Sequence, residues 1–301
     1  MFLAIQAHGA PAAKPFFRRV GIPVGLQLYT VGDDMKRDFA GTLSAVANIG
    51  YKAVEPAGLL GHSPAEWRQA LDRVQLKCPS IHVPPRAPSG LSLADVDALA
   101  EAAHLLGIGT IVCPIFNFPD RFSRELQPGE GSAQMLGRLA AAMTTDDWKA
   151  NADFLNAKGA ALKKHGLRLA YHNHNVEFTP IAGTTAFALL VDGTDPNLVS
   201  FEMDAGWVAA AGIDPVSLLS RYPHRFTAMH VKDVKASTKS NFSLQLDPCE
   251  VGQGTIDWKT LLPKAYAADV RQYYVEQEPP YTKAPLESVA ISFRFLDTLV
   301  A

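Results

Sequence analysis

The sequence predicts a single-domain (β/α)8 TIM barrel, and three observations support this fold. Short apolar runs alternate with amphipathic stretches about eight times along the 301 residues. These runs are nearly continuous in their apolar character, which is typical of buried parallel strands. Four of the later runs end in acids and histidines, and they are RLAYHNHNVEF (168–178), LVSFEMDAGW (198–207), FTAMHVKD (226–233) and QYYVEQE (272–278). In a barrel the carboxyl ends of all strands face one pocket, so these polar residues would meet there.

Strands and helices can be assigned in strict alternation. The early candidate strands are VGLQLYT (24–30), AVEP (53–56), CPSIHV (78–83) and GTIVCPI (109–115). Ser63 is a natural N-cap because Pro64 follows at the first helical position, and Gly166 ends a long helix-like stretch. The helix-like stretches are 38–49, 64–74, 92–106, 146–165, 184–191, 214–221, 257–268 and 285–299. This alternation predicts a parallel sheet.

A doubly wound open sheet is the main alternative fold. Such a sheet needs a glycine-rich phosphate loop after its first strand, and TVGDDMKRD (30–38) is not one. A closed barrel therefore fits better. Two connections, 117–145 and 235–255, are long and follow strand ends, so we expect both to lie over the mouth of the pocket as lids.

The domain organisation is a barrel over residues 22–301, preceded by an N-terminal tail or signal remnant over residues 1–21. Residues 1–13 have a short apolar start and an alanine-rich end. They lack the basic segment and the long apolar segment of a secretory signal. We expect a flexible tail on a cytoplasmic protein, with a trimmed signal and a periplasmic protein as the alternative.

Composition excludes several classes of protein. The chain is 48% hydrophobic and 19% charged, with a net charge of −2, which indicates a soluble globular protein without a basic face for nucleic acid. No run approaches the roughly 20 apolar residues that a membrane span needs. The three cysteines, Cys78, Cys113 and Cys249, are odd in number and widely spaced, so no disulfide framework is expected.

Four residues at the ends of late strands form the candidate metal site. They are Glu177, Asp204, His230 and Glu276. Three carboxylates and one imidazole form an oxygen-rich set, which favours Mn²⁺, Mg²⁺ or Co²⁺ over a closed tetrahedral zinc site. Carboxylates that converge in this way repel one another unless a cation is present. The alternative for each residue alone is an ordinary hydrogen-bonded position at a strand end.

Two further strand ends carry candidate catalytic residues. His172 and His174 are two apart, so in a strand both point to one face. One of them would orient a metal ligand or contact substrate, and the other has a hydrogen-bonded core position as its alternative. Lys232 shares a face with His230 and is well placed to hold an anionic or enolate oxygen. A surface lysine at a strand exit is the alternative.

Candidate substrate contacts lie on the other half of the barrel and after the sixth strand. Gln27, Glu55 and His82 fall near strand ends, where they could contact substrate hydroxyls, although structural roles are as frequent for each alone. Trp207 could stack on a sugar ring or pack in the core. The segment EVGQGTIDW (250–258) is interpreted as a turn that leads back into the barrel.

These motifs together resemble a known family. In order and spacing, GLQLYT, AVEPAG, SIHVP, LAYHNHNVEF, MDAGW, MHVKD, EVGQGTIDW and YVEQE are similar to the sugar phosphate isomerase/epimerase family of xylose isomerase-like TIM barrels, over about residues 22–300. The resemblance implies one divalent metal, with Mn²⁺ favoured and Mg²⁺, Co²⁺ or Zn²⁺ as alternatives. It implies two glutamates, one aspartate and one histidine as ligands.

The family's ligand set carries over with one departure. Asp204, His230 and Glu276 match directly. Relatives often place the second glutamate at the end of the fifth strand, where this chain has His172. We assign Glu177 as this ligand, with His172 or His174 as the alternative. The epimerase branch moves protons with two glutamates on opposite faces of the substrate, so a displaced Glu177 weakens that reaction.

The expected function is a metal-dependent sugar isomerase or epimerase that acts on a keto-sugar or cyclitol through an enediolate. Glu276 or Glu177 takes the proton next to the carbonyl, His174 assists, and Lys232 holds the oxygen. The alternatives are a lyase of the inosose dehydratase or 3-keto-glycoside β-elimination type, a DNA-damage nuclease, and a non-catalytic sugar-binding barrel. The net charge of −2 counts against the nuclease. A homodimer is an open expectation, since dimers are common for such barrels.

Overall fold

The computed structural model describes residues 13–301 and confirms the eight-stranded parallel barrel. Each of the eight predicted apolar runs contains one barrel strand. The strands are β1 Gly25–Gln27, β2 Ala53–Glu55, β3 Ser80–His82, β4 Thr110–Cys113, β5 Arg168–His172, β6 Val199–Asp204, β7 Phe226–Val231 and β8 Gln272–Val275. All neighbouring pairs in the order β2-β1-β8-β7-β6-β5-β4-β3 are parallel.

The barrel closes between β2 and β3 through a seam rather than a full ladder. The seam has isolated parallel bridges, Ala53 with Lys77 and Ala57 with His82. Two of its backbone hydrogen bonds run from Val54 N to Lys77 O at 2.8 Å and from His82 N to Pro56 O at 2.9 Å. The strands on the opposite wall, β5 to β8, pair over four or more residues each.

Helices surround the barrel and connect its strands. They are α1 Phe16–Val20, α2 Gly32–Arg37, α3 Phe39–Ile49, α4 Pro64–Val74, α5 Val96–Leu106, α6 Ser132–Ala141, α7 Thr145–Lys164, α8 Ala186–Gly193, α9 Ala205–Ala210, α10 Pro215–Arg221, α11 Trp258–Ala267 and α12 Pro285–Thr298. Ser63 caps α4 in a capping box, as its sequence predicts. The cap of α5 is Asp95, which accepts from Ala98 N at 3.1 Å, and so α5 begins later than the Ser92 start that we expected.

The N-terminal boundary differs from the predicted tail over residues 1–21. Residues 1–12, which include most of the proposed signal remnant, lie outside the described residues. Within the predicted tail, however, α1 packs on the barrel with Phe16 and Phe17 buried. Phe16 N donates to Leu299 O at 2.7 Å, and the Arg18 guanidinium pairs with Asp297 at 2.6 Å. The packed part of the chain therefore starts before residue 22. Across residues 13–301, none of the helices has the length and apolar character to cross a membrane.

Several predicted strands turn into helical segments at the mouth of the barrel. Residues Leu28–Val31 and Val176–Phe178 are short 3₁₀ helices. Gln27 caps the first of these by accepting from Tyr29 N at 3.1 Å. Asp204 similarly caps α9 by accepting from Trp207 N at 2.8 Å. Strand-end side chains therefore both end the strand and shape the next turn.

The two long connections lie at the mouth, as expected for segments that follow strand ends. The first is partly helical because it contains α6, which starts at Ser132. The second is held by the buried Asn175, whose Nδ2 donates to Asn241 Oδ1 at 2.8 Å. Leu244 N in turn donates to Asn175 Oδ1 at 3.0 Å. These bonds fix the second connection over the end of β5.

The segment 250–258 is a turn organised around the buried Asp233. The Asp233 carboxylate accepts from Gly252 N at 2.9 Å, from Gly254 N at 3.2 Å and from Trp258 Nε1 at 2.9 Å. A Cβ atom at Gly254 would lie 2.1 Å from Asp233 Oδ1. The two glycines thus serve the turn, as the sequence predicted, and leave room for the carboxylate.

We expect Gly254→Ala to lower the free energy of unfolding by about 2 kcal/mol, because the added methyl group must displace a buried carboxylate. Gly32→Ala is the matched control, since Gly32 has helical φ −59° and ψ −37° and an added Cβ would meet nothing within 4 Å. Urea denaturation followed by circular dichroism measures both variants. Equal midpoints for the two variants would contradict the role given to Asp233.

Candidate metal centre and cavity

A large cavity opens at the carboxyl end of the barrel. Its volume is about 1150 Å³. Residues from β3, β5 and the ends of β6 and β8 form its inner end: His82, His172, His174, Trp207, Glu276 and Glu278. A cavity at this face is where barrel enzymes place their active sites.

Below this inner end, three predicted metal ligands converge. One ligand atom from each of Asp204, His230 and Glu276 lies within 4.8 Å of the other two, and all three residues are buried. His230 Nδ1 is 2.8 Å from Glu276 Oε2 and 3.8 Å from Asp204 Oδ2. His172 Nε2 lies 3.9 Å from the same Asp204 oxygen. The ends of β5, β6, β7 and β8 therefore each contribute one side chain to this cluster.

A glutamate outside the predicted set orients the histidines. Glu202 Oε2 is 2.9 Å from His82 Nε2, 3.0 Å from His172 Nδ1 and 3.1 Å from His230 Nε2. An ionised carboxylate only accepts hydrogen bonds, so the ring nitrogens that face it carry the protons. The lone pair of His172 Nε2 is then free and lies 3.9 Å from Asp204 Oδ2. His230 Nδ1 instead faces the Glu276 carboxylate at 2.8 Å. Burial acts to lower the pKa of His230, but the surrounding carboxylates raise it well above its usual range. His230 would therefore have to release a proton to bind a cation through Nδ1. Carboxylates that fix the tautomers of metal-binding histidines in this way are common in metalloenzymes.

His82, His172, Glu202 and His230 form a second group with the residue types of a metal site. We interpret this group as a hydrogen-bond hub. Its three imidazoles contact one oxygen, Glu202 Oε2, which occupies the centre where a cation would have to lie.

The charges of the hub follow from burial and from its carboxylates. Burial acts to lower the pKa of His82, but Glu55 and Glu202 outweigh it and raise this pKa to about 9. Burial acts to raise the pKa of Glu202, but the histidines outweigh it and hold this pKa well below its usual range. Burial and the neighbouring His230 lower the pKa of His172 to about 4, so its ring is neutral near pH 7. A neutral imidazole is the form that binds metals.

Lys232 supplies a buried positive charge beside the cluster. Its ammonium is fully buried and contacts three carboxylates, which are Asp204 Oδ2 at 2.7 Å, Glu276 Oε2 at 2.7 Å and Glu278 Oε1 at 2.6 Å. Burial acts to lower the pKa of Lys232, but these carboxylates raise it well above its usual range. The side chains of Lys232 and His230 lie on the same face at the end of β7, as their spacing predicts.

Small and aromatic residues after β6 make room for this lysine. A Cβ atom at Gly206 would lie 2.7 Å from Lys232 Cγ, so the position accepts glycine only. Trp207 is buried, lines the cavity, and donates from Nε1 to Glu278 Oε1 at 3.0 Å. Its ring centroid lies 5.1 Å from the Lys232 ammonium, which is within the range of a cation–π contact.

Glu177 is buried but lies apart from the converging ligands. Tyr171 donates from its hydroxyl to Glu177 Oε1 at 2.7 Å, and His174 N donates to Oε2 at 2.9 Å. Burial raises the pKa of Glu177 to about 7. The 3₁₀ helix Val176–Phe178 turns this side chain back onto Tyr171. The assignment of Glu177 as metal ligand and base stays a prediction, and the geometry favours a structural role.

The early strands support the centre from behind. Gln27 Nε2 donates to Glu55 Oε1 at 2.9 Å, and the same oxygen lies 2.8 Å from His230 Nε2. Both Gln27 and Glu55 are fully buried, and neither lines the cavity. His82 does line it. The predicted substrate contact is therefore accessible for His82, whereas Gln27 and Glu55 are placed to orient His230.

The sequence carried a signal for Glu202 that the motif analysis missed. Glu202 precedes Asp204 by two residues in FEMD, so both point to the same face of β6. Glu278 was also missed, although it follows Glu276 by two residues in VEQE. Side chains alternate in direction along a strand, so an acid two residues from Asp204 or Glu276 is expected to lie on the same face.

The residues present fit a divalent metal ion. Asp204 Oδ2 is buried, and the Lys232 ammonium at 2.7 Å is its closest cationic partner. The same ammonium also faces Glu276 and Glu278, so one positive charge serves three buried or partly buried carboxylates. A bound cation would compensate the remaining negative charge. Two imidazoles with two carboxylates are also a softer set than the predicted three carboxylates. This change favours Mn²⁺, Co²⁺ or Zn²⁺ over Mg²⁺.

Comparison with known proteins agrees with this architecture. A family model described as "xylose isomerase-like TIM barrel" matches residues 43–299. An inosose dehydratase from Geobacillus kaustophilus is 26% identical over 298 residues, which cover 90% of this chain and 89% of that protein.

Solved structures show the same fold. A sugar phosphate isomerase/epimerase from Parabacteroides distasonis aligns with a TM-score of 0.69 at 23% identity, covering 99% of this chain and 98% of the other. The IOLI protein, in a structure with a zinc atom, aligns with a TM-score of 0.64 at 14% identity, covering 92% of this chain and 98% of the other.

Proposed function

This chain belongs to the family of xylose isomerase-like TIM barrels, and on that premise we propose that it is a metal-dependent lyase that eliminates a β-substituent from a keto-sugar or keto-cyclitol. The observation that carries the proposal is the convergence of the buried Asp204, His230 and Glu276 at the base of the cavity, where a single ammonium, that of Lys232, faces three carboxylates. The similarity to an inosose dehydratase, which is a lyase, supports elimination over the isomerisation expected from the motifs.

The ligand set comprises His172, Asp204, His230 and Glu276, one from each of four consecutive barrel strands. A divalent cation held by these residues supplies the electrophile that acidifies the C–H bond next to the substrate carbonyl. Glu202 faces both histidines from the opposite side and would hold the neutral His172 ring with Nε2 toward the cation. His230 would bind through Nδ1 after losing the proton that faces Glu276.

His174 is the proposed proton acceptor. It lines the cavity, and its Nδ1 is buried without a hydrogen-bond partner. Burial and the nearby His172 and Lys232 lower its pKa well below the usual range, so the ring is neutral but weakly basic. Proton transfer to it would therefore depend on the acidity that a bound cation gives the C–H bond of the substrate. Lys232 keeps the Glu276 and Glu278 carboxylates in place through its ammonium and is a positioning residue in this scheme.

The reaction consists of one proton transfer and one bond cleavage. His174 takes the proton from the carbon between the carbonyl and the carbon that bears the leaving oxygen. The electron pair of that C–H bond forms a C=C bond, and the C–O bond breaks with its electrons on oxygen. The leaving oxygen takes a proton from the imidazolium, which restores the neutral ring. The products are an unsaturated ketone and water or an alcohol.

The position of Glu177 favours elimination over epimerisation. A two-base epimerisation needs a second acid or base on the opposite face of the substrate. Glu177 is held by Tyr171 and the His174 backbone and does not line the cavity. At the end of β5, where the family resemblance implies this glutamate, the chain has His172.

The proposal is tested with an inosose as probe. Protein loaded with Mn²⁺, Co²⁺ or Zn²⁺ should convert it to an unsaturated ketone, which is followed by its ultraviolet absorbance. The chelated protein should be inactive, and His174→Gln should lower kcat by roughly 100-fold or more, as loss of a general base does. Deuterium exchange from D₂O without any increase in absorbance would instead support an isomerase or epimerase. Neither exchange nor absorbance with any of these metals would leave a non-catalytic sugar-binding barrel.

A further inference from the structure

The cavity is larger and less polar than a single sugar ring requires. Ligand cavities of about 300–1,000 Å³ hold drug-sized molecules, and this one measures about 1150 Å³. From the metal centre it extends outward between α5, α6 and the connections after β2 and β3. We call this extension the apolar arm and define it by Leu59, Leu91, Leu105, Ala133 and Leu136, all of which line the cavity.

The lining of the cavity disfavours a phosphate group in the apolar arm. Among the described residues, neither arginine nor lysine lines the cavity, and phosphate groups are normally held by these residues. The cationic His82 lies at the inner end, whereas the charged residue of α5 that lines the cavity is the acidic Glu101. The part of the substrate that fills the arm is therefore not anionic, and the leucines that define the arm favour an apolar group.

The surface exposure of the arm also indicates that it binds an apolar group. Leu105 is 51% exposed and Leu60, also on the cavity wall, is 38% exposed. Large apolar side chains left open beside a polar centre mark a binding surface for an apolar group. The arm is continuous with the end of the cavity that holds His174, so one molecule can occupy both.

From these observations we infer that the substrate is an uncharged keto-glycoside with a bulky apolar aglycone, which lies in the apolar arm while the keto-sugar ring lies over the metal centre. This inference rests on the proposed function. The aglycone is attached through the leaving oxygen, so elimination releases it as an alcohol and leaves an unsaturated keto-sugar. Atoms and electrons balance as in the dehydration, with the aglycone alcohol in place of water.

The test compares p-nitrophenyl and methyl 3-keto-β-glucosides as substrates of the metal-loaded enzyme. Ala133→Trp fills the arm, and Leu105→Gln makes it polar. Ala133→Trp should lower kcat/KM for the p-nitrophenyl substrate by at least roughly tenfold, and Leu105→Gln should lower it by about threefold. Neither substitution should change kcat/KM for the methyl substrate. Comparing each variant with the wild type cancels the intrinsic reactivity of the nitrophenolate leaving group.

Two controls match these substitutions. Ala142→Trp places the same side chain at an exposed alanine that caps the other end of α6 and does not line the cavity. Leu126→Gln changes a leucine that is 55% exposed and lies outside the cavity lining. Neither control should alter the ratio of the two substrates.

A readout without turnover separates the two proposals. Calorimetry with p-nitrophenyl β-glucoside, which has no keto group, measures binding to the arm. Weaker binding in Ala133→Trp but not in Ala142→Trp supports the apolar arm. If this result is obtained but no keto-glucoside is turned over, the lyase proposal fails and the binding arm stands. Equal losses for both substrates, or no loss for either in both arm variants, would overturn the inference.

Discussion

Asp204→Asn is expected to abolish stoichiometric metal binding and to lower kcat/KM by at least roughly 1,000-fold. Removing an outer contact of a metal site already weakens metal affinity about 10- to 100-fold, and Asp204 would be a direct ligand. Asparagine keeps the side-chain oxygen that caps α9 by accepting from Trp207 N, so the fold around the site is preserved. Elemental analysis of the purified protein measures the metal, and circular dichroism checks the fold.

Glu177→Gln is the matched control, since Glu177 is also a fully buried acid close to the cavity. It should retain its metal, because its carboxylate is occupied by Tyr171 and the His174 backbone. The metal content of Glu202→Gln should lie between those of Asp204→Asn and Glu177→Gln, since this substitution perturbs the protonation of the histidines but removes no ligand. Metal loss in Glu177→Gln equal to that in Asp204→Asn would establish Glu177 as the fourth ligand in place of His172.

Lys232→Met is expected to lower the free energy of unfolding of chelated protein by about 3–5 kcal/mol, the range found when one partner of a buried ion pair is removed. The variant leaves the carboxylates of Asp204, Glu276 and Glu278 without the ammonium that contacts them. A divalent cation would neutralise part of this charge. The loss should therefore shrink when metal is present, and urea denaturation with and without metal measures the difference.

Lys235→Met provides the comparison three residues along the chain. Lys235 pairs with Asp247 at 2.9 Å, but its side chain is 40% exposed. An exposed pair of this kind contributes less than about 1 kcal/mol, and metal should not change the effect of its loss. Similar stability losses in Lys232→Met and Lys235→Met would contradict the view that Lys232 compensates a buried acidic cluster.

The sequence was sufficient to predict the barrel and the convergence of three candidate metal ligands. Each barrel strand is a short apolar run, and the carboxyl ends of parallel strands share one face of the molecule. For this reason Asp204, His230, Glu276 and Lys232 could be expected to converge without any knowledge of their side-chain conformations. Their convergence follows from the common direction of the strands, and the apolar pattern predicts that common direction because it is typical of buried parallel strands.

The remaining features depend on turns and on contacts across strands. Whether Glu177 reaches the cluster depends on the 3₁₀ turn after β5, and hydrophobic periodicity carries no information on such a turn. The role of Glu202 depends on three imidazoles from β3, β5 and β7 that meet at one oxygen. The spacing of Glu202 from Asp204 shows which face it shares, but it does not show which nitrogens it contacts.

The incomplete pairing of β2 with β3 implies that the stiffness of the barrel is uneven around its circumference. The wall from β5 to β8, which carries the four proposed ligands, pairs over four residues at each junction, with one register shift at Phe201 and Glu202 between β6 and β7. The seam is held by isolated bridges, and the connections that leave β2 and β3 there border the apolar arm. We therefore expect that differences in the width of the proposed aglycone are taken up on the side of the seam, while the spacing of the proposed ligands on the more extensively paired side changes less.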